Sequence, residues 1–290
     1  MPGINSEQET KLKIGGITIS FISCGDNSAV RTDDIYRDFI TNHEPDVTLQ
    51  VHYGQIPKSK SEKDIFDAGT TWSMFQSNGK YILEDTNRIA ILEPDFKCGK
   101  IYTKESRGKT ILPLSYPLDE VLMINLLAKA QGILIHACGV ISKGQGLLFA
   151  GSGGVGKSTM ASLWKKAPAP DHRSQGQRAN ILSDDRIIIR KMDRRFWVYG
   201  TPWHGDAKVC SPEKAPLEKI FFLKHAKNNT TKKIAPMEAT SRLIVCSFPT
   251  FWNKKGMEFT LKFCAELAEK VSCYELGFVP DESILEFVRT

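Results

Sequence analysis

The nine residues Gly151-Ser152-Gly153-Gly154-Val155-Gly156-Lys157-Ser158-Thr159 constrain this chain more than any other stretch. They fit the pattern of Gly, four residues, Gly-Lys-Ser/Thr, the loop that wraps a phosphate tail in nucleotide-binding proteins. At ordinary residue frequencies a chance match arises in roughly one chain in a hundred of this length. The surroundings sharpen the reading. Gly146-Leu147-Leu148-Phe149-Ala150 is an apolar run that reads as a buried strand, and Thr159 to Trp164 reads as a helix. Strand, glycine-rich loop and helix is the order the motif requires. A glycine-rich turn capping an ordinary helix is the plainer alternative.

The residue types suit the chemistry. Backbone can wrap a phosphate only where side chains do not intrude, and the loop's four glycines, Gly151, Gly153, Gly154 and Gly156, remove Cβ atoms there. Successive N–H groups then form an anion nest, which the dipole of the following helix reinforces. Lys157 is expected to reach the β- and γ-phosphates. The Ser158 hydroxyl is expected to ligate Mg²⁺, with Thr159 as a second hydroxyl beside it.

Composition sets the frame around this loop. The chain has 290 residues, of which 41% are hydrophobic, so it can bury a sizeable core in one large or two modest domains. A net charge of +6 suits phosphate handling, and the basic residues are scattered rather than set in an aromatic-interleaved stripe. Nucleic acid is therefore not the expected partner. Seven widely spaced cysteines with no Cys-x-x-Cys pair argue against zinc and for a reduced, cytoplasmic protein. The polar N-terminus lacks a secretory h-region, and no run approaches about 18 apolar residues, so no membrane span is expected.

Along the chain, short alternating runs separated by turn signals suggest a mostly β N-terminal domain over residues 1–112. These runs are Ile14–Ser23 after a glycine turn, Val47–Val51, Thr71–Gln76, Tyr81–Glu84, Ile89–Glu93 and Lys100–Lys104. Residues 1–10 read as frayed and residues 54–66 as a lysine-rich loop or solvated face. The charged run Glu105–Lys109 and the prolines 113 and 117 mark the boundary, and a second domain follows over 113–290. It opens with a helix over Leu118–Ala130 that Gly132 is expected to stop. Ile133–Ile141 and Gly146–Ala150 read as an antiparallel hairpin leading into the phosphate loop. Residues 165–180 read as a loop, and Ile181–Asp185 as a strand ending on two carboxylates. A hairpin turning at Lys191–Arg195, a strand over Leu217–His225, helices near 236–246 and 256–270, a strand Tyr274–Phe278 and a helix at 281–288 complete the pattern.

Phosphoryl transfer needs a carboxylate for Mg²⁺ and a base for the attacking hydroxyl. Asp184 and Asp185 have that chemistry and sit at the end of an apolar strand. Neighbours on an extended backbone point to opposite sides, so the two carboxylates suit two different roles. An Asp-Asp turn cap is the alternative. His136 inside its apolar strand reads alone as a core histidine, and Cys138 as core packing. Trp203 and His204, in the loop Thr201–Asp206, are candidates for contact with a substrate or simply for turn packing.

The layout of ILIHACGVISKGQGLLFAGSGGVGKST, a histidine-bearing strand and a second strand before the phosphate loop, with an aspartate pair downstream, resembles the HPr kinase/phosphorylase catalytic domain. It is similar, more distantly, to ATP-dependent phosphoenolpyruvate carboxykinase. GTPWHGD, APLEKIFFLKH and YELGF resemble the HPr-kinase-related proteins of bacterial biosynthetic gene neighbourhoods. The resemblance covers residues 118–288. It implies an α/β, carboxykinase-like P-loop catalytic domain with a mixed sheet, preceded by the smaller β domain. It implies ATP bound by Gly151–Thr159, and Mg²⁺ held by Ser158 with Asp184 or Asp185. The other aspartate would be the base with His136 beside it, and Lys157 would act on the phosphates. Thr159 stands where HPr kinases carry an acidic residue, so the expected activity is transfer of the γ-phosphoryl to a serine-like hydroxyl on a protein, peptide or small molecule, and not dual action on HPr. A homo-oligomer is compatible with this reading. A non-catalytic ATP-binding regulatory module and a carboxykinase-type enzyme acting on a small carboxylic acid are the alternatives.

Overall fold

The computed structural model describes residues 9–24, 33–106, 109–110, 113–129, 131–166 and 180–289. The expected fraying of the first residues and the loop after the phosphate-loop helix lie mostly outside them. The chain divides into two compact units, Met1–Leu126 and Leu127–Thr290.

The first unit is built on one mixed eight-stranded sheet. Its strands are β1 (Glu9–Ile14), β2 (Ile17–Cys24), β3 (Val47–Tyr53), β4 (Lys63–Asp67), β5 (Trp72–Ser77), β6 (Lys80–Asp85), β7 (Arg88–Leu92) and β8 (Cys98–Thr103), in the order β1-β2-β3-β8-β7-β6-β5-β4. A two-residue ladder, β9 (Glu105–Ser106) with β10 (Lys109–Thr110), follows, and then helix α1 (Leu118–Leu127). Two strands were not legible as such. The segment read as a frayed terminus and the start of one strand is a hairpin, because Gly15 and Gly16 at φ 58° and 77° turn the chain back on itself. The stretch read as a solvated loop contains β4, an edge strand whose half-polar sequence meets water on its outer side.

A buried cation organises this unit. Arg88 is 2% exposed. Its Nε and Nη2 both donate to Asp85 Oδ2, at 3.0 and 2.7 Å, and Nη1 and Nη2 donate to the carbonyls of Pro113 and Tyr116 at 2.8 and 3.2 Å. Full use of the guanidinium fork is what makes its burial tolerable. It also ties the segment before α1 to the start of β7. Tyr36 adds a second tie, its hydroxyl donating to Asp119 in α1 at 3.1 Å.

The second unit is a three-layer α/β/α arrangement. Its strands are β11 (Gly132–Ser142), β12 (Gln145–Ala150), β13 (Asn180–Ser183), β14 (Arg186–Met192), β15 (Arg195–Tyr199), β16 (Lys214–His225), β17 (Thr230–Lys233) and β18 (Ser272–Phe278); its helices are α2 (Lys157–Lys166), α3 (Pro236–Cys246), α4 (Lys254–Lys270) and α5 (Ser283–Arg289). Two strands, β11 and β16, are long enough to take part in two neighbouring ladders. β11 pairs β14 through Gly132–His136, then β12 and β13 through the rest of its length. β16 pairs β15 at its start, then β12 and β18 in parallel. The pairings close a ring, β12-β11-β14-β15-β16 and back to β12. Gly146 leaves room for a side chain of β15: a Cβ there would lie 2.3 Å from Val198 Cγ2.

Strand alternation sorts side chains into two cores. Leu148, Ala150, Ile220 and Phe222 face α3 and α4, with Leu243, Phe263 and Leu267. Leu147, Phe149, Phe221 and Leu223 face α2 and α5, with Met160, Trp164, Ile284 and Val288. The hairpin turn between β11 and β12 is Lys143-Gly144, both at positive φ (51° and 75°), the twist that matches right-handed strands. Gly132 differs from expectation. It is the first residue of β11 and not a helix stop, and it is glycine because a Cβ would lie 2.2 Å from the Ile189 carbonyl oxygen of β14.

Replacing Arg88 with Met leaves Asp85 without its cation and two carbonyls without a donor. The expected loss is about 3 kcal/mol in the first unit, read as faster amide hydrogen exchange in β6 and β7; unchanged exchange would refute the role given to the guanidinium.

Candidate functional site

The phosphate loop leaves the carboxyl end of β12, which is parallel to β16 and β18. This is the edge at which open α/β sheets bind ligands. Gly154 and Gly156 take φ of 78° and 107°, values that a side chain disfavours. A Cβ on Gly156 would also collide with the Phe278 ring at 2.6 Å, so the glycine lets α2 start against β18. Cβ atoms on Gly153 and Gly154 would meet nothing within 4 Å, so this part of the loop faces open space. Among the described residues, the backbone amides of Gly153 and Gly154 have no carbonyl acceptor.

Lys157 is 6% exposed and folds back over the loop, its Nζ donating to the carbonyls of Gly151 at 2.9 Å and Ser152 at 2.8 Å. Burial pushes its ammonium below the ordinary lysine value, and the Asp185 charge pulls it back. Cys246, at the end of α3, accepts a hydrogen bond from the Gly151 backbone, and burial raises its thiol. Burial raises the Cys138 thiol far more; it is fully enclosed in the core beside α2, as packing and not as a nucleophile.

The two aspartates part company. Asp184 is 1% exposed and is held by the loop after β15: Oδ1 accepts from the Gly205 amide at 2.8 Å and Oδ2 from the Ala207 amide at 2.9 Å. Two amide donors are what allow a carboxylate to be buried without a cation of its own. Gly205 defines a point shared with the phosphate loop. Its Cβ position would lie 2.8 Å from Asp184 Oδ2 and 3.2 Å from Ser158 Oγ. The Ser158 hydroxyl and the Asp184 carboxylate therefore flank one small space that only a glycine leaves open.

Asp185 turns the other way. Its Oδ1 lies 3.1 Å from His136 Nε2 and its Oδ2 accepts from Arg186 Nη1 at 2.6 Å. His136 and Arg186 are register partners on β11 and β14, so the antiparallel ladder sets the three groups side by side. The His136 hydrogen bond and the Arg186 charge hold the Asp185 carboxyl below the usual aspartate range, against the opposing effect of burial. Ser183 fixes the bend: its Oγ donates to the Trp203 carbonyl at 2.6 Å and accepts from the amides of Asp185 and Arg186 at 3.1 and 3.2 Å.

The structure thus gathers Gly151–Ser158, Asp184, Asp185 and His136 into one region, with Thr159 exposed on the first turn of α2. Trp203 is buried and serves this region through its backbone; His204 Nδ1 lies 3.1 Å from the Gly205 carbonyl of its own loop. Sequence reasoning missed Gly205, Arg186, Cys246 and Phe248. The Trp203-His204-Gly205 loop stood out for its side chains, whereas its glycine does the spatial work. Among the described residues no group of three or more His, Cys, Asp or Glu side chains could hold a metal, and no helix is long and apolar enough to cross a membrane.

A carboxyl whose folded value lies below its unfolded value binds fewer protons when folded. The stability Asp185 contributes is complete above the ordinary aspartate range and is lost as pH falls through the lowered value. In the variant His136→Ala the Asp185 carboxyl is expected to titrate at higher pH, and acid unfolding to begin at higher pH. Carboxyl-carbon NMR reads the shift; titration at the wild-type pH would show that His136 does not hold the anion.

No protein-family model matches the chain, and no curated protein matches it. Among solved structures, the Hpr(Ser) kinase/phosphatase from Coxiella burnetii is similar over 53% of this chain and 85% of that chain, at 10% sequence identity and a TM-score of 0.30.

Proposed function

We propose that the second unit is a Mg²⁺- and ATP-dependent phosphotransferase that moves the γ-phosphoryl group to a serine-like hydroxyl. The observation that carries the reading is the meeting of Ser158 Oγ and Asp184 Oδ2 around the space left by Gly205, at the first turn of the helix behind a phosphate-type loop. A hydroxyl and a carboxylate are hard oxygen donors of the kind Mg²⁺ takes, and Mg²⁺ commonly binds through one or two protein oxygens plus phosphates and water. The open, amide-lined turn at Gly153-Gly154 suits a polyphosphate in the same way.

When bound, Mg²⁺ supplies charge neutralisation on the phosphate oxygens. The chain does the rest by placement and electrostatics. Lys157 exchanges the Gly151 and Ser152 carbonyls for phosphate oxygens. Asp184 is held in place by its two amide donors. Asp185, held beside His136, accepts the proton of the acceptor hydroxyl as that oxygen bonds to the γ-phosphorus. The bond from the γ-phosphorus to its bridging oxygen breaks, and ADP leaves.

Lys157→Ala is expected to abolish transfer, and Asp184→Asn and Asp185→Asn each to lower it by about 100-fold or more. The assay follows radiolabelled γ-phosphoryl against free serine, serine-containing peptides and oxaloacetate. Full activity in all three variants, or ATP binding with no transfer to any acceptor, overturns the proposal. Gly205→Ala is expected to weaken nucleotide binding more with Mg²⁺ than without it, and to lower the melting temperature, because its methyl group would lie 2.8 Å from the buried Asp184 Oδ2 and 3.2 Å from Ser158 Oγ. Titration with a fluorescent ATP analogue, with and without Mg²⁺, reads it. Equal Mg²⁺ dependence in variant and wild type would count against a cation at that point.

A further inference from the structure

Arg186 lies outside the phosphate loop and the aspartate pair, yet it is tied directly to Asp185. Four contacts fix it. Its amide donates to Ser183 Oγ at 3.2 Å, and its carbonyl accepts from Thr201 Oγ1 at 2.5 Å. Its Nη1 donates to Asp185 Oδ2 at 2.6 Å, and its guanidinium carbon lies 5.3 Å from the centre of the Phe248 ring. Phe248 is itself anchored. Its amide donates to the Leu134 carbonyl at 3.0 Å, the preceding Ser247 forms a bridge with Ile135 of β11, and its ring lies 6.4 Å from that of His136.

The arrangement is a clamp. A carboxylate on a short side chain has two free torsions, and one hydrogen bond to His136 restrains only one of its oxygens. Arg186 Nη1 takes the other oxygen, and the aromatic face beneath stops the guanidinium from swinging away. We infer that Arg186, backed by Phe248, is a positioning residue that fixes the orientation of Asp185 toward the acceptor hydroxyl. This inference rests on the phosphotransferase reading. It adds that Arg186 acts through Asp185 and not through the nucleotide, so its loss is expected to leave ATP binding intact.

Geometry sets the size of the effect. Misplacing a reacting group by about 1 Å costs about 100-fold in rate. The experiment measures steady-state ATP turnover with Mg²⁺, in the presence of free serine, serine-containing peptides or oxaloacetate as acceptor, in wild type, Arg186→Met, Arg186→Lys and Phe248→Leu. Nucleotide affinity is measured separately with the fluorescent analogue. Arg186→Met is expected to lower kcat about 100-fold with KM for ATP unchanged. Arg186→Lys is expected to recover part of that loss, since an ammonium can donate to the same carboxylate oxygen but stacks poorly on the Phe248 ring. Phe248→Leu, which leaves both charges in place, is expected to lower kcat less, again at constant KM. An unchanged kcat in Arg186→Met, or a loss that appears in KM and affinity alone, overturns the inference. Should Arg186→Met fail to fold, Phe248→Leu decides, and a wild-type kcat there overturns it. Wild-type protein that binds ATP and turns over none would instead sink the phosphotransferase reading on which the inference stands.

Discussion

Burial of the Asp184 carboxylate is the constraint around which the second unit is arranged. A charge in that position costs several kcal/mol unless donors meet it. The donors are backbone amides from the loop after β15, so the loop has to come in close, and it can do so only with a glycine at its point of nearest approach. The same approach carries the Trp203 carbonyl to Ser183 Oγ, and Ser183 in turn braces the amides of Asp185 and Arg186. One desolvation problem therefore fixes the Asp184 carboxylate, the bend that divides the two aspartates, and the position of the cation that follows them.

The ring of strands supplies the rigidity this needs. β11 brings His136 to Arg186 at one end and leads through its hairpin to the phosphate loop at the other. β16 seals the ring on the far side, with Phe149 and Phe221 stacked 5.4 Å apart across the β12–β16 pairing. Close packing of this kind transmits position well, because a side chain cannot shift without displacing its neighbours. The Ser247–Phe248 segment uses the same strand. By bridging to Ile135 it carries the end of α3 to the dyad, while Cys246 beside it touches Gly151.

Much of this frame was legible in the residues. The hairpin before the phosphate loop, the paired carboxylates at a strand end and the helices near 236–246 and 256–270 (the second observed over Lys254–Lys270) all announced themselves through local signals: apolar alternation, a Lys-Gly turn, helical spacing. What escaped was of two kinds. β1, β4 and β17 carry too few apolar residues for periodicity to register, since each lies near a sheet edge and faces water along much of its length. Arg186, Gly205 and Phe248 escaped because their roles arise only in three dimensions. Arg186 meets Asp185 and Phe248 through a ladder register that no single segment encodes, and Gly205 looked like an ordinary loop glycine until Ser158 and Asp184 closed around it. Gly132 failed in the opposite sense, as a helix-stop signal that tertiary crowding against Ile189 had selected.

The order in which the site's parts occur along the chain has a consequence for biosynthesis. The glycine loop leaves the ribosome some thirty residues ahead of the aspartates and almost a hundred ahead of Phe248. Closing contacts between such distant segments is slow relative to forming a hairpin or a helix. A growing polypeptide therefore carries its glycine-rich loop well before the carboxylates and the aromatic ring that come to lie beside it in the fold.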